Sequence, residues 1–154
     1  MELAPLTQFI CDVCKEIIVS PSAGWLEWRC NAQKACEGLR IVHHATASPL
    51  KPTRNCYYSR RERDGDVALN TCTGPDGLIR LLSFFVDKFD GRGLTSGEAK
   101  EAAEIIRRLH VPGYEEARSY FGMALQDGYI DSIESFSPHR EAIERLIARY
   151  RSRE

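Results

Sequence analysis

The chain of 154 residues is long enough for one ordinary domain, or for one domain with a smaller appendage. Hydrophobic residues make up 43% of it and charged residues 28%, a globular composition that excludes a disordered or collagen-like chain. The formal net charge of −1 excludes nucleic-acid binding through bulk positive charge. No apolar run is long enough to span a membrane and the first residues carry no secretory signal, so we expect a compact, bacterial-type cytoplasmic protein.

All six cysteines lie in the first half of the chain. They are Cys11, Cys14, Cys30, Cys36, Cys56 and Cys72. In a reducing compartment thiols bind metal more often than they form disulfides, and six cysteines are too few for a disulfide scaffold of this length. A redox-active Cys11–Cys14 pair requires a helix directly after it, but the residues that follow are β-prone and are interrupted by Pro21. The cysteines therefore favour a metal site.

A predicted β-hairpin explains how distant ligands come together. Residues 25–28 and 39–43 have strand character, with a polar turn between them. The second strand returns towards the Cys11–Cys14 turn, while the far tip of the hairpin is more than about 10 Å away. The predicted zinc ligands are accordingly Cys11, Cys14, one of His43 and His44, and Cys56.

Two alternatives stay open for this metal site. Cys30 and Cys36 also have a spacing from Cys14 that occurs in zinc sites, and they compete with the histidine and Cys56 as ligands. Alternatively, the cysteines are ordinary buried thiols and the histidines are surface residues. The role of Cys72 is undecided.

The segment from Phe9 to Cys56, with its Cys-x2-Cys turn and hairpin, resembles a zinc ribbon. This resemblance implies a small β module that holds a structural zinc ion. Such an ion contributes about 10–16 kcal/mol to folding, so its loss is expected to unfold this half of the chain.

The string Ile41-Val42-His43-His44, followed by Pro49 and Asn55-Cys56, also resembles HNH-type nucleases. That resemblance implies that one histidine activates water while a metal ion polarises a phosphate. The family pattern requires a further metal-binding histidine, but the chain has none between His44 and His110. We therefore favour a structural zinc over a catalytic metal.

Helix signals dominate after Gly74-Pro75, which predicts a β-rich module over residues 1–74 and a helical domain over 75–154. The first predicted helix runs from about Asp76 to Asp87, with a broad apolar face that should be buried. A Thr95–Glu98 capping box starts a second helix that continues to about His110. The third helix is predicted over Tyr114–Asp127, and the fourth begins at Ser137-Pro138.

Residues 75–134 resemble a winged-helix domain. The resemblance rests on Gly93-Leu94-Thr95, Leu109-His110-Val111-Pro112 and Leu125-Gln126-Asp127-Gly128-Tyr129-Ile130. It implies a third helix that reads DNA, yet that helix begins with Glu115 and Glu116, which repel phosphate. Because residues 76–154 carry 12 basic and 14 acidic side chains, we favour a protein partner over DNA.

A basic segment follows the proposed metal ligands. Residues 51–63 carry five lysines and arginines and one glutamate. Arginine forks and aromatic rings suit an acidic protein surface or a single-stranded nucleic acid. The predicted partner-binding residues are Arg54, Tyr57, Tyr58, Arg60, Arg61 and Arg63.

The sequence thus predicts an α+β protein, with a zinc-ribbon-like module packed on a four-helix, winged-helix-like domain. Its predicted function is that of a non-catalytic regulatory or adaptor protein with a structural zinc and a protein partner. The alternatives are a DNA-binding transcriptional regulator, which would use the 51–63 segment and the winged-helix-like domain, and an HNH-like nuclease.

Overall fold

The structure is a computed structural model that describes residues 2–30, 36–50, 56–57, 65–89, 95–133 and 136–153. Over these ranges the chain is a mixed α+β fold with small antiparallel sheets and five α-helices. The strands are β1 (Phe9–Ile10), β2 (Ile17–Ile18), β3 (Gly24–Cys30), β4 (Cys36–His43) and β5 (Gly65–Ala68). The helices are α1 (Gly74–Phe89), α2 (Ser96–His110), α3 (Tyr114–Ser119), α4 (Phe121–Gln126) and α5 (Arg140–Tyr150).

The predicted hairpin is confirmed as strands β3 and β4. These two strands pair antiparallel, with Gly24 opposite His43 at one end and Cys30 opposite Cys36 at the other. Strand β5 pairs with the free side of β3, which gives the order β4-β3-β5, and β1 and β2 form a separate two-stranded ribbon. The register therefore places His43 and the tip cysteines at opposite ends of the hairpin backbone.

One buried cluster joins the sheets to helices α1 and α2. Its largest members are Phe9, Ile18, Leu26, Ile41, Leu69, Leu81, Phe85, Ile105 and Leu109. These side chains come from both sides of the predicted boundary at residues 74 and 75, so the two segments share this core. The division of the chain into two domains stays a prediction.

A second buried cluster joins helices α3, α4 and α5. It contains Tyr114, Ala117, Tyr120, Phe121, Ala124, Ile143, Leu146 and Tyr150. The rings of Tyr120 and Tyr150 stack with their centroids 6.3 Å apart. These contacts hold helix α5 against α3 and α4. Because the contacting residues are far apart in the sequence, local patterns could not predict this packing.

Helix α1 is apolar on two faces, and only one of them is buried. Leu81 and Phe85 are 1% and 6% exposed, in the core with the sheet. Ile79, Leu82 and Val86 are 64%, 49% and 69% exposed. The expectation that the whole apolar face of this helix is buried is therefore wrong for these three residues. Their spacing of three and four positions places them in one stripe along α1, which we call the α1 stripe.

The other predicted helices differ from the structure mainly at their ends. The Thr95–Glu98 capping box at the start of α2 is confirmed. The predicted third helix is interrupted at Tyr120, whose amide bonds to the Ala117 carbonyl three residues back, so that α3 and α4 are separate. The last helix begins at Arg140 and not at Ser137-Pro138.

The zinc-ribbon and winged-helix arrangements themselves are not confirmed. Beyond Ala68, the described parts of the chain contain helices and turns but no strand. The mixed α+β class agrees with the prediction, while the two finer arrangements stay predictions.

Candidate metal centre

The turn between β1 and β2 brings two thiols together. Cys11 and Cys14 lie in this turn, which is closed by hydrogen bonds from the Lys15 amide to the Cys11 carbonyl (3.1 Å) and from the Cys11 amide to the Glu16 carbonyl (3.0 Å). Lys15 has a φ of 67°, a left-handed conformation that costs a non-glycine residue roughly 1–2 kcal/mol. This strained residue directly follows Cys14, in the turn that brings the two cysteines together.

His43 lies at the end of β4 and faces these cysteines. Its Nδ1 is 3.4 Å from the Sγ of Cys14 and 3.8 Å from the Sγ of Cys56. Its Nε2 is 3.3 Å from the Ile17 carbonyl oxygen, which can only accept a hydrogen bond. The proton of the neutral ring therefore belongs on Nε2, and the lone pair of Nδ1 is directed at the thiols.

Cys56 completes the cluster from a third segment of the chain. Its side chain is fully buried, and its Sγ lies 3.2 Å from the hydroxyl of Ser48. This hydroxyl can donate to the sulfur when Cys56 is a thiolate. The Cys56 carbonyl also accepts a hydrogen bond from Arg40, at 3.4 Å, which attaches this segment to β4.

The donor atoms of Cys11, Cys14, His43 and Cys56 all lie within 4.8 Å of one another. A tetrahedral ion with Zn–S bonds of about 2.3 Å and a Zn–N bond of about 2.0 Å has edges of about 3.5–3.8 Å between its ligand atoms. The two sulfur–nitrogen distances of 3.4 and 3.8 Å match these edges closely. Three sulfurs and one imidazole nitrogen thus form a donor set that fits a metal ion.

Cys14 and Cys56 resist ionisation without a cation. Burial raises the pKa of Cys14 to about 12, against an opposing hydrogen bond from the Glu16 backbone, and Cys11 adds to the rise. Burial likewise raises the pKa of Cys56, although its hydrogen bond with Ser48 acts in the opposite direction. A bound metal ion replaces these protons, so that binding releases protons and weakens in acid.

The structure separates the remaining candidate ligands from this cluster. The Nδ1 of His44 accepts a hydrogen bond from the Thr46 amide at 3.2 Å, and His44 is not part of the donor set. The backbone positions of Cys30 and Cys36 lie at the far end of the hairpin. Cys72 is buried beside Thr71, also outside the cluster.

A buried ionic network, which sequence reasoning missed, supports the turn that carries Cys11 and Cys14. Arg108 of α2 is 2% exposed and forms a two-pronged pair with Glu115, with distances of 2.8 and 2.9 Å. The same guanidinium bonds Asp12, which lies between the two cysteines of the turn, at 2.7 Å, and the Ile10 carbonyl at 2.9 Å. Asp12 in turn accepts the Ile41 amide of β4 at 2.7 Å.

The carboxylates of this network stabilise the buried positive charge of Arg108. Burial alone would lower the pKa of Arg108, but the hydrogen bonds and charges of Glu115 and Asp12 outweigh it and raise that pKa. The guanidinium is therefore permanently charged, and its positive charge compensates the negative charges of the Asp12 and Glu115 carboxylates. The position of Asp12 between the two cysteines is the only local signal that marks this residue. Its partner Arg108 lies 96 residues away in the sequence.

The acidic start of α3 is buried and does not form an exposed surface. Glu115 also accepts the Ile10 amide at 2.8 Å. Glu116 is 3% exposed and binds the Leu3 amide at 3.1 Å and the Arg151 guanidinium at 2.8 Å. The two glutamates therefore connect both ends of the chain to α3, and this first turn offers no exposed face for reading DNA.

Most of the predicted partner-binding residues lie outside the described residues. This applies to Arg54, Tyr58, Arg60, Arg61 and Arg63. Tyr57 is described, is half-buried, and has its ring centroid 5.8 Å from that of Trp25. The Trp25 ring also meets His44 edge-on, at 4.6 Å.

Comparison with protein-family models, with curated proteins and with solved structures gives no match to this chain. Within the described ranges, no helix combines the length and apolar character that crossing a bilayer requires.

Proposed function

We propose that this is a non-catalytic zinc protein of the reducing cytoplasm, whose metal ion is structural and which acts as a regulatory or adaptor protein through contacts with a protein partner. The observation that carries the proposal is the closed donor set of Cys11, Cys14, His43 and Cys56. Catalytic zinc sites have three protein ligands and keep one position for water or substrate, whereas structural sites use four, mostly sulfur. Three thiolates and one imidazole belong to the second class.

His43 gives separate support to a structural role. A nuclease of the HNH type needs a histidine whose ring nitrogen is available to activate water. Nδ1 of His43 faces the thiols and Nε2 is bonded to the Ile17 carbonyl. With both nitrogens engaged, this ring supports metal binding better than proton transfer.

The α1 stripe is the surface that we propose for a protein partner. Ile79, Leu82 and Val86 are each about half exposed or more, and they follow one another along a regular helix. Apolar side chains grouped in this way on a surface indicate an interaction site more often than single exposed residues do. A DNA-binding role finds less support, because the first turn of α3 is buried.

Elemental analysis of the purified protein and of four variants tests the metal assignment. We expect one zinc per chain in the wild type, and loss of the metal in Cys11→Ser and Cys56→Ser. The matched controls, Cys30→Ser and His44→Ala, change the same residue types outside the proposed donor set and should keep the zinc. Zinc loss in Cys30→Ser with retention in Cys56→Ser would instead identify a site at the hairpin tip.

Metal removal should also unfold more than the first half of the chain. The core that contains Cys11 and Cys56 also contains Leu81, Ile105 and Leu109 of helices α1 and α2. Chelation is therefore expected to reduce helical circular dichroism together with the sheet signal. An unchanged helical signal after complete zinc removal would show that the helices fold independently of the metal.

A further inference from the structure

Cys14 is the donor residue of the candidate metal centre that is partly exposed to solvent. Cys11 and Cys56 are fully buried, and His43 is 5% exposed. A cysteine that binds a metal ion does so as a thiolate, and the thiolate is the form that reacts with peroxides. Cys14 is therefore the first cysteine of this donor set that a dissolved oxidant meets.

A second sulfur lies close to that of Cys14 in the same turn. The donor atoms of Cys11 and Cys14 are within 4.8 Å of each other, and the bond from the Lys15 amide to the Cys11 carbonyl closes the turn at 3.1 Å. Residues three positions apart in a tight turn have Cα atoms less than about 7 Å apart, and a disulfide requires about 4.4–6.8 Å. The two cysteines are thus placed to form a disulfide within their own turn.

Contacts that involve no donor atom hold this turn in place. The Asp12 carboxylate accepts hydrogen bonds from Arg108 and from the Ile41 amide, both at 2.7 Å. The Asp12 amide donates to the Ile41 carbonyl at 2.8 Å. These bonds keep Cys11 beside Cys14 while a donor sulfur is being oxidised. Cys56 reaches the cluster from a separate segment, so the turn favours Cys11 as the partner of Cys14.

We propose that peroxide oxidises Cys14 and that the resulting Cys11–Cys14 disulfide releases the metal ion, so that the structural site is also a redox switch. This inference rests on the proposed structural zinc and adds the regulation of that site. It differs from redox catalysis by a dithiol, because the bound metal, and not the N-terminus of a helix, supplies the thiolate.

The oxidation balances in two steps. The thiolate sulfur of Cys14 attacks one oxygen of hydrogen peroxide and the O–O bond breaks. The departing hydroxide takes a proton to give water, and Cys14 becomes a sulfenic acid. The thiolate of Cys11 then attacks this sulfur, so that an S–S bond forms, the S–O bond breaks and a second hydroxide becomes water. The two sulfurs lose the two electrons that the peroxide gains, and two of the four donors are removed.

The effect of this oxidation should extend beyond the turn. Cys11 and Cys56 belong to the buried cluster that also contains Leu81 and Ile105 of helices α1 and α2. We therefore expect hydrogen peroxide to reduce the helical circular dichroism as chelation does, and a thiol reductant with added zinc to restore it. Because α1 carries the α1 stripe, oxidation would also disrupt the surface proposed for the protein partner.

The zinc-loaded wild-type protein gives the first test. Hydrogen peroxide should release one zinc per chain to a chromogenic chelator, and mass spectrometry should find the Cys11–Cys14 disulfide in the same sample. Dimedone, which traps sulfenic acids, should label Cys14 before Cys11 or Cys56. A different order of labelling, a disulfide to Cys56, or retention of zinc in excess peroxide would overturn the switch and leave the structural site intact. A protein purified without zinc would contradict the structural site and the switch with it.

Two histidine variants separate the site of oxidation from metal binding. Cys14→His and Cys56→His each keep four ligand side chains, and elemental analysis first establishes that they hold one zinc. Peroxide should release zinc from Cys14→His about tenfold more slowly than from the wild type, because the exposed donor is then no thiolate. Cys56→His keeps the reactive pair and should respond like the wild type, as should the control Cys30→Ser/Cys36→Ser outside the donor set. Equal release rates for the two histidine variants would overturn the proposal.

Discussion

His43 shows how a single residue is oriented for metal binding. Its Nε2 lies 3.3 Å from a carbonyl oxygen that can only accept, so its Nδ1 carries the lone pair that faces Cys14. Sequence reasoning could not choose between His43 and His44. Neighbouring residues of a strand point to opposite faces, and the sequence does not reveal which face meets the cysteines.

Gly65 is a position where one methyl group should be costly. A Cβ at this residue would lie 2.4 Å from two ring carbons of the buried Trp28, so Gly65→Ala must displace the indole. We expect urea denaturation to show a loss of about 1–3 kcal/mol in the free energy of unfolding. Gly122→Ala in α4 is the control, because a Cβ there meets nothing within 4 Å and alanine favours a helix. Equal stabilities of the two variants would contradict the packing of β5 on Trp28.

His110 should make stability depend on pH. Burial lowers its pKa, although a hydrogen bond to the Cys72 backbone acts in the opposite direction, and its Nε2 has no hydrogen-bond partner among the residues that the structure describes. Below about pH 6.5 the unfolded chain takes up a proton more readily than the folded chain, so this residue reduces stability as the pH falls. We expect His110→Asn to lose less stability than the wild type between about pH 7 and pH 5.5 in urea titrations. Equal losses would show that His110 titrates alike in both states.

At the scale of elements, helix α1 allows a test with neighbouring residues of the same type. Leu81 is 1% exposed and faces the core, whereas Leu82 is 49% exposed on the α1 stripe. Leu81→Ala should cost about 2–5 kcal/mol of unfolding free energy, and Leu82→Ala much less, because only the first leaves a cavity. Similar costs measured by urea denaturation would mean that α1 is rotated relative to this structure or that its stripe is covered.

The Arg108 network connects the Cys11–Cys14 turn to helices α2 and α3. Arg108→Met removes the guanidinium that lies 2.7 Å from Asp12 and 2.8 Å from Glu115, and it leaves these carboxylates only the longer contacts with Arg118, at 4.0 and 3.8 Å. We expect it to reduce the free energy of unfolding by about 3–5 kcal/mol. Arg140→Met removes an exposed pair with Glu144 on α5 and should cost less than about 1 kcal/mol. A loss in Arg108→Met no larger than in this control would show that the network contributes nothing to stability.

These elements also show how far sequence reasoning reaches. The hairpin of β3 and β4 and the Thr95–Glu98 cap were predicted because their signals are local: strand-forming residues around a polar turn, and a four-residue hydrogen-bonding pattern. The burial of Glu115 and the role of Arg108 were missed. Both depend on partners about 100 residues away, which no local pattern contains.

At the scale of the whole molecule, the candidate metal centre lies where distant segments meet. It draws ligands from the β1–β2 turn, from β4 and from the segment at Cys56, and Asp12 connects it through Arg108 to the helices. A second core around Tyr120 and Tyr150 holds α3, α4 and α5 together. We therefore propose that a metal ion bound by three sulfurs and one histidine nitrogen organises the sheet and the helices packed on it.

Zinc K-edge X-ray absorption of the purified protein tests this claim most directly. We expect three sulfur ligands at about 2.3 Å and one nitrogen at about 2.0–2.1 Å, without a bound water. Four sulfur ligands would instead require another cysteine in place of His43. A second nitrogen or oxygen ligand, such as a coordinated water, would contradict the closed structural site.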